Sequence, residues 1–332
     1  MEWNTRVTAL LGCRYPIIQG AFGGFGTSAI AAPTSQAGGF GLITASALRT
    51  PEGLREDIRR AKSMTERPFG VNLSIPACPR IDEQLEVCLE EGIPAVETAG
   101  YRGDEYGKRL KEAGVKWIHK VASLKHALAA ARQGADAVVI VGLEGVGFKS
   151  SIQLPTLIGI PLAVRQIKVP IIASGGIGDA RGFVAALAMG AEAVCLGTVF
   201  VATKECPVSD RYKQALVDGD PADPVVRDRA LAPPNPRELE KVMALKDSLP
   251  KLEWLQRLES VMMGGTAGDS LDMSRMPEGE AVRAGGGSLA VGAIDKVVSV
   301  KELIDAIIQG AEEILTSQPF AGFWQSAGVP RA

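Results

Sequence analysis

VPIIASGGIGDARGFVAALAMGAEAVCLGT (residues 169–198) holds, in order, an apolar run, a glycine turn, a helical pattern, a capping glycine and a second apolar run. Both apolar runs are continuous rather than alternating, as strands of a parallel sheet buried on both faces require. Gly190 stands just past the helical pattern, where glycine takes a left-handed cap without a Cβ penalty. The stretch therefore reads as one strand–helix–strand crossover.

The same helix–glycine–strand junction recurs at Gly92 (EEGIPAVETAG, 90–100), Gly114 (EAGVKWIHKV, 112–121) and Gly134 (RQGADAVVIVG, 132–142). PIIQG (16–20), FGLITA (40–45) and FGVNLSI (69–75) complete a series of eight strand signals. They begin at intervals of roughly 20 to 35 residues, the size of a strand–helix repeat. Eight such units predict an α/β fold, a (β/α)8 TIM barrel over residues 1–207. A Rossmann-like open sheet is the alternative, though it usually has fewer strands.

After Cys206-Pro207 the rhythm stops. Residues 208–285 predict a helical insertion over the C-terminal mouth, from SDRYKQALV (209–217) and, beyond Pro233, Pro234 and Pro236, RELEKVMALKDSLPKLEWLQRLESVMM (237–263). Residues 286–332 form a return segment, in which SVKELIDAIIQGAEEIL (299–315) is the amphipathic helix that closes the outer ring.

The 332 residues are 46% hydrophobic and 22% charged, with a formal net charge of -2. Interspersed charge of that kind gives no footprint for nucleic acid or an anionic membrane. The first residues lack the basic start and apolar run of a secretion signal, and no stretch has the length of a membrane span. Five cysteines, an odd number without a CxxC pair, predict free thiols in a reducing cytoplasm.

Three glycine turns follow predicted strands: Gly20-Ala21-Phe22 after the first, Ser174-Gly175-Gly176 after the seventh, and Gly197-Thr198 after the eighth. In barrels, the loops after strands seven and eight often hold a phosphate, where glycine lets backbone N–H groups and a helix N-terminus approach the anion. Tight turns alone also use glycine. No GxGxxG fingerprint opens the first unit.

Asn72 is predicted to end the third strand, and His119-Lys120 the fifth. A polar residue within FGVNLSI needs a partner, so Asn72 is expected to meet a ligand or another strand-end group. Lys120 either neutralises a phosphate or reduced cofactor, or is a solvated lysine at a helix start. With His119 and His126 the only histidines, a His-rich metal site or a Ser–His–Asp triad has little material. GLEGVGF (142–148) follows strand six; there Glu144 is placed at the mouth and Phe148 can wall a flat ligand, or the run is a plain loop. Cys195 reads as a small buried hydrophobe.

With these residues placed, the chain resembles the nitronate monooxygenase (2-nitropropane dioxygenase) family, whose relatives include an NADH:quinone reductase and flavin-dependent enoyl-ACP reductases. The resemblance rests on PIIQGAFGG, AGGFGLITA, RPFGVNLS, HKVASLKHA, GADAVVIVGLEGVG, residues 169–200 and TKECP, in order, and covers roughly residues 10–207. GGGSLAVGAI (285–294) resembles the family segment that returns to the flavin. The resemblance implies FMN held by Gly20, Ala21, Phe22, Asn72 and Lys120. Its phosphate would be cradled by Ser174, Gly175, Gly176, Gly197 and Thr198, with the flavin ring facing the insertion.

One departure bears on activity. The family pattern places a histidine after the strand-six glycines, and this chain has Phe148, followed by Lys149 and Ser150. Phenylalanine transfers no proton. Val141 stands where the family has an acid. Two enzymatic routes remain: oxidation of a preformed alkyl nitronate with O2, or hydride delivery from NAD(P)H to FMN and on to a quinone or activated enone. In either, Glu144, Phe148 and the insertion shape the pocket; in the second, water, Ser150 or Lys149 supplies any proton. A catalytically silent flavin-binding protein is the rival from another class. The apolar insertion, with Met262-Met263, either covers the active site or forms a homodimer contact.

Overall fold

The computed structural model describes residues 1–21, 25–48, 50–78, 80–147, 149–231, 235–262, 267–268 and 287–317. Its eight strands are β1 (Ile17–Gln19), β2 (Leu42–Thr44), β3 (Gly70–Ser74), β4 (Ala95–Ala99), β5 (Lys116–Val121), β6 (Ala137–Val141), β7 (Ile171–Ser174) and β8 (Ala193–Leu196). Every ladder is parallel, in the order β1-β8-β7-β6-β5-β4-β3-β2. With helices between the strands, the fold is a (β/α)8 barrel and not an open sheet. Gly92, Gly114, Gly134 and Gly190 take φ of 64°, 74°, 93° and 94°, the left-handed conformation read from the helix–glycine–strand junctions.

Closure between β1 and β2 uses a single bridge, Ile18 to Phe40. The Gln19 side chain extends that seam. Its Oε1 accepts from the Leu42 N–H at 3.0 Å, and its Nε2 donates to the Gly20 carbonyl at 2.7 Å. A buried side-chain amide thus replaces a missing ladder bond, and both its ends are satisfied.

Successive strand residues point to opposite faces, and the two faces form separate cores. Ile18, Leu42, Ile118, Val139 and Ile172 fill the barrel together with Phe40. The first helix, Arg6–Leu11, sends Val7 and Leu11 into that cluster. Alanines at the starts of β4, β6 and β8, together with Gly70, leave the volume these larger groups occupy; a Cβ on Gly70 would lie 2.9 Å from the Phe40 ring. The starting end of the barrel is therefore packed with hydrocarbon. The outward residues, such as Ile17, Val71, Val96, Val138 and Val194, pack under the helix ring.

The insertion contains helices Asp210–Val217, Pro224–Leu231, Pro236–Ala244 and Lys251–Met262. The long helical run read at 237–263 is instead two helices, ending at Ala244 and restarting at Lys251 just after Pro250, a residue suited to a helix start and not its interior. Pro224–Leu231 is a helix that sequence patterning did not identify; its apolar residues do not gather on one face. Val300–Thr316 is a helix with a capping box at Ser299 and Glu302 and with Ile304, Ile307 and Ile308 buried. Met263 and most of residues 264–286 lie outside the described residues. All five cysteines carry free thiols.

His119 lies on the outer face, beside Trp117 and Thr98. Thr98 Oγ1 is 2.7 Å from His119 Nδ1 and accepts from Trp117 Nε1 at 2.7 Å. Burial pushes the imidazole down to about 4, against backbone carbonyls that favour its charged form. The unfolded chain gains a proton near pH 6.5 that the folded chain refuses until about 4. Stability from this site is complete above 6.5 and falls away as the pH drops towards 4, by roughly 3 kcal/mol in all. Urea unfolding at pH 7 and pH 4.5 should show a larger loss for wild type than for His119→Gln; equal losses would refute the assignment.

Candidate functional site

Polar groups collect where the strands end. Asn72 sits mid-strand in β3 rather than at its end, and its register partner in β4 is Glu97. Asn72 Nδ2 donates to Glu97 Oε1 at 2.7 Å, and Lys120 Nζ donates to the same oxygen at 3.0 Å. Asn72, Glu97 and Lys120 are only 2%, 1% and 8% exposed. Lys120 is thus a buried member of an ion pair and not a solvated lysine.

Burial pushes the Lys120 ammonium down, while Cys195 and Glu97 push it up, and the net direction is up. Burial also lifts the Cys195 thiol to about 11. That thiol is neutral near pH 7, so the working counter-charge is the Glu97 carboxylate. Cys195 packs as a small buried side chain, as its sequence context suggested.

Glu97 was missed from sequence. The available signal was a carboxylate inside the apolar run PAVETAG, on the same alternating face as the mouth. Among the described residues, its Oε2 has no hydrogen-bond partner, and neither has the buried Thr44 Oγ1. Thr44, Asn72 and Glu97 are register partners across β2, β3 and β4. One row inside the barrel therefore presents two unsatisfied oxygens on either side of a bonded amide.

The expected phosphate turn lies on the rim. Gly175 and Gly176 have φ of 102° and 70°, and a Cβ on Gly175 would lie 2.9 Å from the Gly142 backbone. Only glycine fits that close, left-handed passage. Ser174 Oγ donates to the Cys195 carbonyl at 2.8 Å, tying β7 to β8. The helix expected to open here begins at Ala180, and Asp179 caps it by accepting from the Gly182 N–H at 2.7 Å. Asp179 thus satisfies one N–H of that helix's first turn from the chain itself.

Gly20 donates to the Leu196 carbonyl at 2.6 Å, which sets β1's exit against β8. Ala21 follows, half-buried, while Phe22 lies outside the described residues. A Cβ on Gly197 would meet nothing within 4 Å. The Thr198 hydroxyl accepts from the Ser288 N–H at 3.1 Å and pairs with the Ser288 hydroxyl at 2.9 Å. The return segment forms a 3-10 turn, Leu289–Ala293, and Leu289 N–H donates to the Glu144 carbonyl at 3.1 Å. It thus joins the loops after β6 and β8.

The loop after β6 differs from expectation in what its charges do. Glu144 accepts from Thr156 N–H at 3.0 Å and Thr156 Oγ1 at 2.8 Å. This carboxylate caps helix Thr156–Gln166, whose own N-cap, Pro155, offers no side-chain acceptor. Lys149 Nζ donates to the carbonyls of Leu143 at 2.8 Å and Gly145 at 2.5 Å. Burial pulls that ammonium down to about 8, while Glu144 pulls it up. Ser150 and Gln153 close a turn through Gln153 N–H to the Ser150 carbonyl at 3.0 Å. Phe148 lies outside the described residues.

The insertion reaches this end of the barrel through two aromatic pairs. Trp254 meets Tyr101, just after β4, edge-on at 5.8 Å, and Tyr212 meets Phe25, after β1, at 6.3 Å. Among the described residues, no His/Cys/Asp/Glu cluster could hold a metal ion, and no helix is long and apolar enough to cross a membrane.

A family model described as "Nitronate monooxygenase" matches residues 4–310. A Mycobacterium tuberculosis protein named (3aS,4S,5R,7aS)-5-hydroxy-7a-methyl-1-oxo-octahydro-1H-indene-4-carboxyl-CoA dehydrogenase is 36% identical over 66% of this chain, which spans 62% of that relative's length. A "Probable nitronate monooxygenase" of Staphylococcus saprophyticus is 32% identical, covering 68% of this chain and 76% of that protein. The solved structure of FabK from Thermotoga maritima is 33% identical with a TM-score of 0.75, over 96% of this chain and 99% of that one.

If Glu144 acts as a helix cap, Glu144→Ala should cost about 1–2 kcal/mol in urea unfolding, and Glu144→Gln, which keeps an acceptor, clearly less. Unfolding curves that coincide with wild type for both variants would contradict the capping role.

Proposed function

The chain belongs to the nitronate monooxygenase family, and from that premise we propose that it is an FMN-dependent oxidoreductase oxidising alkyl nitronates with O2. The observation that carries this reading is the buried Asn72–Glu97–Lys120 cluster inside the barrel, within two residues of the carboxyl ends of β3, β4 and β5. Barrel enzymes place their chemistry at that end, and a barrel interior has no packing use for a charged pair.

The residues present fit FMN. The unpartnered Glu97 Oε2 and Thr44 Oγ1 are polar atoms aimed into the interior that a heterocycle with donors and acceptors can satisfy. The rim carries the close glycine passage at Gly175 and Gly176 and the open position at Gly197, where a phosphate can approach backbone N–H groups. In this assignment Ser174, Gly175, Gly176, Gly197 and Thr198 hold the phosphate. Gly20, Ala21 and Phe22, with Asn72 and Lys120, hold the ring. When bound, FMN supplies the hydride or electron acceptance that no side chain can. Lys120 offers ammonium N–H donors to the ring, and the insertion shields the mouth from water.

The preference for a nitronate over a neutral nitroalkane follows from the β6 loop. Glu144 is engaged as a helix cap and Lys149 is bonded to loop carbonyls, and Phe148 replaces the family histidine. A substrate that has already lost its proton needs no base from these residues. A second reading, an NAD(P)H-dependent FMN reductase of quinones or activated enones, draws on the likeness to FabK across almost the whole chain. A cytoplasmic setting accords with the five free thiols.

Purified protein should be yellow and release FMN on denaturation, while Asn72→Ala and Gly176→Asp should be colourless. Colourless wild type, or full FMN in both variants, would remove this site. On anaerobic rapid mixing, alkyl nitronates should bleach the flavin, and neutral nitroalkanes should do so at least tenfold more slowly. Bleaching by NADH or NADPH alone would instead establish the reductase, and no bleaching by any of them a silent flavoprotein. Phe148→His should raise the rate with neutral nitroalkanes at alkaline pH; an unchanged rate would place residue 148 away from the flavin.

A further inference from the structure

We propose that Glu97 is a positioning residue of the cofactor site: it holds the Lys120 ammonium beside Asn72 and cancels most of that cation's charge at the barrel mouth. The proposal rests on the FMN reading above. The resemblance that pointed to Asn72 and Lys120 did not include Glu97.

The geometry supplies the positioning. One oxygen of Glu97 receives both Asn72 Nδ2, at 2.7 Å, and Lys120 Nζ, at 3.0 Å. Three neighbouring strands are thereby joined at a single atom. Asn72 and Glu97 are register partners, so the distance between their side chains is set by the ladder. Lys120 has four rotatable bonds, and the shared acceptor is what restricts its ammonium to one place.

The charge argument follows from what surrounds the lysine. The groups facing it are Glu97 from β4, Asn72 from β3 and the Cys195 thiol from β8, with the Ser174 hydroxyl of β7 turned to the Cys195 carbonyl. His119 is on the opposite face of β5, against Thr98. Asn72 carries no charge, and burial keeps the Cys195 thiol protonated. Among the described residues, Glu97 is therefore the only anion at this lysine. A lone buried cation beside a flavin raises its affinity for electrons and for anions. Paired with Glu97, Lys120 keeps two hydrogen-bond donors beyond the one given to the carboxylate, while its field is largely cancelled. The free Oε2 of Glu97 remains available to a donor on the ligand.

Sulfite, which adds to oxidised flavin more tightly when positive charge lies near the ring, reads that field directly in the full-length, FMN-loaded protein. Glu97→Gln keeps an acceptor oxygen for Asn72 and Lys120 and removes only the charge. At pH 6.5 it should bind sulfite on the order of tenfold more tightly than wild type, the effect of about one partly screened charge. The ratio should fall towards one by pH 9, because a buried lysine without a counter-ion releases its proton early. Glu97→Asp should stay close to wild type. FMN-loaded Glu97→Gln with wild-type sulfite affinity at every pH would overturn this proposal alone, whereas wild-type protein that takes up no FMN would overturn the flavin reading and the proposal with it. Should Glu97→Gln not fold, Lys120→Met and the double variant Glu97→Gln/Lys120→Met carry the same test. The double variant should match wild type within about threefold, and Lys120→Met alone should bind sulfite on the order of tenfold more weakly. Equal affinities in those two would overturn the proposal.

Discussion

A strand covered on both faces has nowhere to put a charge except against another charge. That constraint organises this barrel. The starting ends of its strands are filled by hydrocarbon from Phe40, Leu42 and the first helix. Beyond that layer, towards the finishing ends, stand Asn72, Glu97 and Lys120, bonded around one carboxylate oxygen. Removing one member of such a group leaves a buried charge without compensation, which costs several kcal/mol, whereas an apolar replacement of the whole group is often neutral or stabilising. A barrel built for stability alone has no need of the pair, and its place near the strand ends is where a ligand can use it.

The same constraint explains how much was legible in advance. Continuous apolar runs and the glycines at 92, 114, 134 and 190 report burial and chain reversal, both local properties, so all eight strands and their parallel order could be read. Asn72 stood out as a polar residue inside an apolar run and Lys120 as a charge near a strand end, both local signals. Glu97 could not be assigned, because its meaning depends on which strands lie beside it, and register is a property of the assembled sheet. The outward face of His119 follows from alternation with Lys120, but its neutral state comes from burial behind Thr98 and Trp117.

The loop after β6 shows the opposite case. Its sequence suggests Glu144 as a mouth residue and Lys149 as a proton source. Their partners are Thr156 and the carbonyls of Leu143 and Gly145, and so they shape the loop rather than offer protons from it. Nothing in GLEGVGF announces that a helix beginning at Thr156 lacks a side-chain cap of its own. Likewise, Asp179 is the N-cap of the helix after SGGIG and accepts from the Gly182 N–H. In both places a carboxylate closes a helix end from outside the hydrophobic pattern, which is why patterning alone assigned them differently.

The central claim is that one site, spanning the interior row of β3, β4 and β5 and the rim of β7 and β8, holds a flavin. A crystal structure of the protein grown with FMN tests it most directly. The account predicts the flavin ring against Asn72 and Lys120, with the phosphate on the backbone of Gly175, Gly176, Gly197 and Thr198. Flavin bound elsewhere, or a ring out of contact with Lys120 while the Glu97 pair stays sealed beneath protein, would contradict it.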